Sequence, residues 1–259
     1  MGGSGINGRT PVFILGLNNS GTSILMEVLK HNSKIDVCLR ESDGAASRIM
    51  PSVRRYAKTE METSGKGDHG RVYTEGTGWI PEQFTQADVH NCLKAWVRVQ
   101  SGEDGDYLVM KSVIDIIRAE WIQYKFGPCK FIILIRNPYD TVMSIMKSGI
   151  TVERAVRHWK LAHEILLESM PNLNDMMVIH YEELFDDDGF ARIEDFLGVP
   201  NEIDINTIVI DGDRHYPGTR NGKIYNRNVP MVGRRADIVV NSVNESCLPV
   251  MKTLGIAPL

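Results

Sequence analysis

Cysteine is scarce in this sequence, and its four copies lie too far apart to share a metal site. Cys38, Cys92, Cys129 and Cys247 form no C-x-x-C pair within the 259 residues. Secreted domains that depend on disulfides are much richer in cysteine, and zinc sites need closely spaced ligands. We therefore predict no metal and no disulfide framework, with Cys38 and Cys129 as buried thiols. This usage favours a reducing compartment, which makes the cytoplasm the expected location.

Long apolar runs and a large excess of charge are also missing. No stretch approaches the roughly 18 consecutive apolar residues of a membrane-spanning helix, so no membrane span is predicted. Residues 1–10 lack the apolar segment of a signal peptide and are interpreted as a flexible leader. The formal net charge of −4 argues against nucleic acid or an anionic membrane as a partner. Any anion site must therefore be local.

Short apolar runs alternate with amphipathic segments along the chain. Strands are predicted over 12–17, 35–39, 107–111, 130–135 and 176–180, and helices over 21–31, 113–124, 140–148, 152–170, 190–197 and 236–254. This alternation predicts a three-layer α/β/α fold with a mostly parallel central sheet, and residues 11–259 are expected to form one domain. Segments 44–106 and 205–235 carry loop chemistry, and we expect them to form acceptor-site and lid insertions.

A loop rich in glycine and hydroxyl side chains follows the first predicted strand. Residues 16–23 read Gly-Leu-Asn-Asn-Ser-Gly-Thr-Ser, which has the spacing of a phosphate-binding P-loop with Thr22 at the lysine position. That lysine normally contacts the β- and γ-phosphates of a nucleoside triphosphate, so its replacement argues against hydrolysis of ATP or GTP. Backbone N–H groups at a helix start still favour an anion, here a 5′-phosphate bearing a smaller group.

A second segment places a cation at the end of a buried strand. Arg136 follows the most apolar predicted strand, Pro138 suits the first turn of the next helix, and Ser144 lies on that helix. Carboxyl ends of parallel strands meet at one edge of a sheet, so we expect Arg136 to lie beside the 16–23 loop. The planar guanidinium suits a phosphate better than an ammonium group does.

Four segments together resemble the PAPS-dependent sulfotransferases, a family of P-loop type. The 16–23 loop is similar to their 5′-phosphosulfate loop, and Arg136-Asn-Pro-x-Asp with Ser144 is similar to their 3′-phosphate motif. Lys111-Ser112 resembles their Lys-Thr element, and residues 178–184 with 193–200 resemble their late strand and the helix after it. The resemblance covers about residues 12–40 and 107–200, and the four motifs occur in the family's order and spacing.

The resemblance implies transfer of a sulfuryl group from 3′-phosphoadenosine 5′-phosphosulfate (PAPS) to a hydroxyl or amine of a small molecule or glycan, without a metal. The 5′-phosphosulfate would be bound by backbone N–H and hydroxyl groups of Ser20, Gly21, Thr22 and Ser23, with Asn18 and Asn19 beside them. Lys111 would neutralise charge near the leaving oxygen or the sulfonate group.

The same resemblance assigns the far end of the donor. Arg136 and Ser144 would hold the 3′-phosphate, the group that separates this donor from ATP. Tyr181 would lie near the adenine. Arg220 and Lys223 belong to a segment similar to the basic loop that closes over the 3′-phosphate.

Two departures from the family's pattern concern the reacting groups. Asn19 stands where a lysine or arginine usually precedes Ser-Gly-Thr, so it offers the bridging oxygen a hydrogen bond but no charge. Val113 replaces a histidine that serves as the base in small-molecule members. Glycan-modifying members use a glutamate after the P-loop helix, so we expect Glu41 to be the general base, with Asp43 and Glu75 as further candidates.

Other functions stay open at this stage. A P-loop kinase would share the fold, although it would need a lysine at Thr22 and an acidic Mg²⁺ ligand on a later strand, where Arg136 stands. A catalytically degenerate protein that binds the nucleotide without turnover would explain both Asn19 and Val113. The sequence leaves the oligomeric state open.

Structural roles are alternatives to the functional ones. In these alternatives, Arg136 serves only in an ion pair with Asp140, and Tyr181 serves only in the core. His158 and His163 are five residues apart, which does not suit two metal ligands on one helical face.

Overall fold

Parallel strands form the central sheet of the computed structural model. Its five strands are β1 Thr10–Leu15, β2 Ile35–Val37, β3 Tyr107–Lys111, β4 Lys130–Ile135 and β5 Met176–His180. Their order across the sheet is β2-β3-β1-β4-β5, and every neighbouring pair is parallel. The structure describes residues 8–39, 72–75, 84–186, 188–208, 219–220, 223–224 and 237–259.

Helices and short turns connect the strands. The α-helices in the described ranges are α1 Thr22–Leu29, α2 Gln86–Val97, α3 Ala119–Phe126, α4 Pro138–Met146, α5 Val152–Ser169, α6 Gly189–Leu197 and α7 Asp237–Thr253. The 3₁₀ turns there are Tyr73–Glu75, Val113–Ile117, Met170–Asn172 and Glu182–Phe185. A separate antiparallel pair consists of β6 Thr219–Arg220 and β7 Lys223–Ile224.

The helices lie on both faces of the sheet. The connection through α1 runs from β1 to β2 in one direction across the sheet, whereas α3, and then α4 with α5, lead in the opposite direction. Because such crossovers are right-handed, the two directions place their helices on opposite faces. The predicted three-layer α/β/α fold is therefore confirmed.

Burial on both faces explains the continuous apolar runs of β1 and β4. Val12–Leu15 and Phe131–Ile135 are each at most 1% exposed, as expected of central parallel strands. The strands β3, β4 and β5 have the predicted bounds, β2 ends two residues earlier than predicted, and β1 both begins and ends two residues earlier. All the predicted helices except 113–124 begin and end within two residues of the observed ones.

The prediction of a single helix over 113–124 is wrong, because the helical segment is interrupted at Arg118. Asp115 accepts hydrogen bonds from Ser112 N at 2.9 Å and from Arg118 Nε and Nη2 at 2.9 and 2.6 Å. This buried cluster holds Arg118 at φ −137°, outside the helical region, between the 3₁₀ turn and α3.

The flexible leader predicted over residues 1–10 extends too far. Arg9 Nη1 is 2.8 Å from Asp36 Oδ2 in a buried ion pair, and Gly105 N donates to the same carboxylate oxygen at 3.1 Å. Thr10 already belongs to β1. The folded domain therefore includes Arg9, while residues 1–7 lie outside the described residues.

Part of the 44–106 segment is helical and belongs to the core. Trp96 of α2 is buried and packs edge-on against Phe13, with ring centroids 5.8 Å apart, and also contacts Phe126 at 5.0 Å. Within the 44–106 segment, the structure describes residues 72–75 and 84–106. The rest of this segment and most of 205–235 lie outside the described parts of the chain.

The turn between β1 and α1 is fixed by local hydrogen bonds and by glycine. Ser20 donates from its backbone N–H and its hydroxyl to the carbonyl oxygen of Leu17, at 3.1 and 2.6 Å. A Cβ on Gly16 would lie 2.6 Å from a neighbouring side-chain carbon. Asn19 and Gly21 have φ values of 66° and 102°, in the left-handed region that asparagine and glycine tolerate best.

Two buried histidines lie on α5. His158 is 0% exposed and His163 is 1% exposed. Burial lowers the pKa of His158 to about 3, with a smaller contribution from the nearby His163, and lowers the pKa of His163 to about 4. Both rings are therefore neutral at neutral pH.

Acid should destabilise the fold through these two rings. Their pKa values are lower in the folded state than the usual 6.5, so the unfolded chain binds more protons as the pH falls from 6.5 towards 3. We expect the H158Q/H163Q double variant to lose less stability than wild type over this range, in urea unfolding followed by circular dichroism. H31Q, at an exposed histidine, is the control. Parallel pH profiles for wild type and the double variant would contradict the account.

Substitution of Gly21 should be costly for two reasons. An alanine there would adopt φ 102°, and its Cβ would lie 2.5 Å from Tyr181 Cε2. We expect G21A to lower the free energy of unfolding by about 3 kcal/mol. Gly149 has φ 83° with nothing within 4 Å, so G149A measures the backbone strain alone, about 1 kcal/mol. Equal losses in the two variants would show that Tyr181 yields without cost.

Candidate functional site

Three sequence-predicted elements meet at the carboxyl edge of the sheet. β1, which ends at the P-loop, lies between β3, which ends at Lys111, and β4, which Arg136 follows. Lys111 is level with Ile14 and with Ile132 in the sheet register, so Arg136 lies four residues further along its strand, and the strands that carry the two cations are about 10 Å apart on either side of β1. The sheet order therefore places one cation on each side of the loop.

The start of α1 is suited to an anion. Its N-cap is Gly21, no side chain caps it, and its first turn contains no acidic residue. Ile24 N and Leu25 N both donate to the Gly21 carbonyl, whereas the N–H groups of Thr22 and Ser23 have no acceptor within the helix. These amides and the positive end of the helix dipole favour a negative group at this point.

Arg136 is held against the P-loop. Its side chain is buried, and Nη1 donates to the carbonyl oxygen of Asn19 at 2.7 Å. The guanidinium carbon lies 4.6 Å from the centre of the Tyr181 ring. The Arg136 carbonyl accepts a hydrogen bond from Trp159 Nε1 at 3.3 Å. The structure thus fixes both the backbone and the charged group of Arg136.

The Tyr181 ring packs against the P-loop at Gly21. Tyr181 is 1% exposed, its N–H donates to the Ile135 carbonyl at 2.7 Å, and its ring occupies the space that a Cβ on Gly21 would need. The ring therefore contacts both Gly21 and the Arg136 guanidinium. Its contact with adenine stays a prediction from the resemblance.

Lys111 is buried at the end of β3, opposite Ile14 of β1. Ser112 follows it and begins the 3₁₀ turn Val113–Ile117 with a capping box. The carbonyl of Val113 accepts a hydrogen bond from the Tyr73 hydroxyl. The backbone of Val113 is therefore tied to the Tyr73–Glu75 turn.

Sequence reasoning did not assign a role to Asn137. It caps α4, where its Oδ1 accepts from Asp140 N at 2.9 Å, while its Nδ2 donates to Asp140 Oδ2 at 2.7 Å and Glu182 Oε1 at 3.0 Å. An asparagine before Pro138 was the available signal for a helix start. Ser144 lies half-buried further along α4.

Several predicted site residues fall outside what the structure describes. Glu41 and Asp43 are outside the described residues altogether. Glu75 ends the turn that begins at Tyr73, and its side chain is not described. The backbones of Arg220 and Lys223 pair with each other in the β6–β7 ladder, again without described side chains.

Neither a metal cluster nor a membrane helix occurs in the described part of the chain. There, no three His, Cys, Asp or Glu side chains are grouped so that they could hold a metal ion. Within the same ranges, no helix has the length and apolar character needed to cross a bilayer.

Comparisons with known proteins find similar sequences and similar folds among sulfotransferases. The chain is 22% identical over 201 residues to a protein-tyrosine sulfotransferase from Drosophila melanogaster. The matched region covers 73% of this chain and 38% of the length of that relative. Its fold is similar to a sulfotransferase from Alicyclobacillus acidocaldarius, with a TM-score of 0.50 at 15% identity, covering 96% of this chain and 97% of the other.

A second solved structure and a family profile extend the comparison. The sulfotransferase domain from the curacin biosynthetic pathway has a TM-score of 0.51 at 16% identity, covering 97% of this chain and all of that one. These structures show the fold. The profile described as the Sulfotransferase family matches residues 11–203, which include the P-loop, Lys111, Arg136 and Tyr181. The chain belongs to the Sulfotransferase family.

Proposed function

We propose that this protein transfers a sulfuryl group from PAPS to a hydroxyl or amine of an acceptor. The observation that carries the proposal is the buried Arg136, which is hydrogen-bonded to the carbonyl of Asn19 in a P-loop without its lysine. Family membership supports the same chemistry. A lysine-free loop suits a donor with a single 5′-phosphate, and a separate guanidinium suits an additional phosphate.

The residues present fit the phosphosulfate end of PAPS. Gly21, against which the Tyr181 ring packs, precedes the Thr22 and Ser23 amides, and these lie at a helix start with no acidic residue in its first turn. We assign the 5′-phosphosulfate to these amides, together with the side chains of Asn18, Asn19 and Ser20. The 3′-phosphate is assigned to Arg136 and Ser144, with Arg220 and Lys223 as further cations.

Lys111 supplies the charge that Asn19 does not. The bond between sulfur and the bridging oxygen of PAPS breaks as the acceptor oxygen or nitrogen bonds to sulfur, and negative charge collects on the bridging oxygen. Lys111 ends a strand next to β1 and is held in a buried position. An ammonium group there stabilises the departing phosphate without a metal, and the exposed Asn19 adds a hydrogen bond.

The acceptor's proton goes to a carboxylate in this proposal. We assign that role to Glu41, with Asp43 and Glu75 as alternatives, because Val113 cannot accept a proton. The acceptor is a small molecule or glycan, and the name of the Drosophila relative adds a peptide tyrosine to the acceptors worth testing. All four cysteines are buried free thiols, which supports the proposal of a reducing compartment, the cytoplasm.

Ligand-induced thermal stabilisation tests the donor assignment. Adenosine 3′,5′-bisphosphate, the product nucleotide, should raise the melting temperature more than ATP or GTP at equal concentration, because only it places a phosphate at Arg136. Turnover of labelled PAPS with a panel of hydroxyl, amine and tyrosine acceptors then separates an enzyme from a protein that only binds the nucleotide. Preference for ATP with Mg²⁺ would instead indicate a kinase.

Removal of Arg136 should change nucleotide preference. R136A loses the contact to the Asn19 carbonyl, and this loss should weaken the binding of every nucleotide. It also loses the proposed contact with the 3′-phosphate, and this loss should weaken the binding of 3′-phosphorylated nucleotides only. We expect affinity for 3′,5′-ADP to fall about tenfold more than affinity for 5′-ADP, measured by isothermal titration calorimetry. K252A removes the same charge from an exposed position on α7 and should leave the ratio unchanged. Equal losses for both nucleotides in R136A would refute the assignment.

Replacement of the general base should affect turnover alone. E41Q keeps the size of the side chain but cannot accept the proton, so we expect kcat to fall about 100-fold while the dissociation constant of 3′,5′-ADP stays within twofold. D43N and E75Q, measured in the same assay, are the comparison variants. An unchanged kcat in E41Q, with a loss in either of the others, would move the base to that residue.

A further inference from the structure

His158 is a buried titratable group that the proposed reaction does not use, and it contacts two otherwise separate parts of the chain. Its Nε2 lies 3.0 Å from Asn18 Oδ1 in the P-loop, and its Nδ1 lies 2.7 Å from Thr74 Oγ1. Asn18 is 140 residues away in sequence, and Thr74 is 84 residues away. A single ring on α5 thus joins the donor loop to the Tyr73–Glu75 turn.

The chemistry of the partners fixes the direction of both hydrogen bonds. An amide oxygen only accepts, so Nε2 carries the proton and donates to Asn18. A neutral imidazole has one N–H, and burial keeps this ring neutral, so Nδ1 accepts from the Thr74 hydroxyl. The hydrogen bonds therefore run from the Thr74 hydroxyl to His158 Nδ1 and from His158 Nε2 to Asn18 Oδ1. Each residue in this series holds the next in one orientation.

The turn that Thr74 belongs to is itself fixed beside the site. Val72 is 0% exposed and Tyr73 is 1% exposed. The Tyr73 ring meets the His158 ring edge-on, with centroids 4.6 Å apart and an interplanar angle of 89°. The Tyr73 hydroxyl donates to the carbonyl of Val113, two residues after Lys111. The Tyr73–Glu75 turn therefore contacts His158, which is bonded to the P-loop, and also Val113, which follows the end of β3 at Lys111.

We propose that His158 is a positioning residue that couples the P-loop to the Val72–Thr74 segment, so that nucleotide bound at the loop stabilises this segment. The coupling works through Asn18, whose side chain His158 orients, and it is reciprocal, because a more ordered Val72–Thr74 segment favours the loop conformation that binds nucleotide. The inference rests on the proposed function for the identity of the nucleotide. The segment belongs to the part of the chain expected to meet the acceptor, so donor and acceptor sites share one hydrogen-bonded link.

His163 is a matched control on the same helix. It is buried and neutral like His158, but its Nδ1 donates to the Trp159 carbonyl within α5, at 2.7 Å, and its ring stacks on Trp159 at 4.1 Å. H163Q therefore reports the general cost of replacing a buried histidine in α5. A structural role for His158 would give H158Q and H163Q the same behaviour.

Three further variants separate the two hydrogen bonds. Glutamine places an amide N–H near the Nε2 position, so H158Q keeps the Asn18 contact and loses the Thr74 contact. Asparagine mimics the Nδ1 side, so H158N keeps Thr74 and loses Asn18. T74V removes one hydroxyl at a half-buried position and is expected to fold even if the histidine variants do not.

Hydrogen exchange read by mass spectrometry tests the coupling in the whole protein. In wild type, 3′,5′-ADP should slow exchange in a peptide that covers residues 72–75 about tenfold, and this slowing should be absent in T74V, H158Q and H158N but present in H163Q. Without nucleotide, H158N should speed exchange at residues 16–23, and H158Q should speed exchange at 72–75, each about tenfold.

The outcomes separate the two proposals. If 3′,5′-ADP binds but exchange at residues 72–75 does not change in wild type, or if H163Q abolishes the effect as fully as H158Q, the coupling is refuted. If 3′,5′-ADP fails to bind wild type, the proposed function fails. In that case the nucleotide-free comparison of H158N with H158Q still decides whether His158 links the two segments: site-specific changes support the link, and identical changes overturn it.

Discussion

The hydrogen bond from Arg136 Nη1 to the carbonyl of Asn19 is the contact on which the rest of the site depends. It joins the end of β4 to the loop after β1, and it brings a buried, permanent positive charge to a loop of backbone N–H groups. A buried guanidinium is costly unless carbonyls, rings or anions surround it. The Asn19 carbonyl and the Tyr181 ring supply part of that environment, and a bound phosphate would supply more.

Sheet topology explains why this contact can form. β1 lies between β3 and β4, so the loop after β1 has Lys111 on one side and Arg136 on the other. The ring of Tyr181, which follows β5, contacts both the loop and the Arg136 guanidinium. It can approach the loop this closely because Gly21 has no side chain. In the proposed function, Lys111 and Arg136 supply from neighbouring strands the positive charges that the loop lacks at Thr22 and Asn19.

Local patterns predicted much of this and missed what depends on distant contacts. The 16–23 loop and Arg136 each follow an apolar strand, so their place at one edge of the sheet was readable from the sequence. The break at Arg118 had a signal, Ser112 followed three residues later by Asp115, which caps a short turn. The link from Asn18 through His158 to Thr74 spans 140 and 84 residues and leaves no local pattern. The packing of the Tyr181 ring against Gly21 also depends on a distant contact, and the predicted contact of Tyr181 with adenine stays a prediction.

A structure of the protein with 3′,5′-ADP bound tests the central claim most directly. The account predicts the 5′-phosphate within hydrogen-bonding distance of the Thr22 and Ser23 amides, and the 3′-phosphate on the Arg136 guanidinium with the Asn19 carbonyl contact retained. A 3′-phosphate that points away from Arg136, or a nucleotide bound away from the β1–α1 turn, would contradict it.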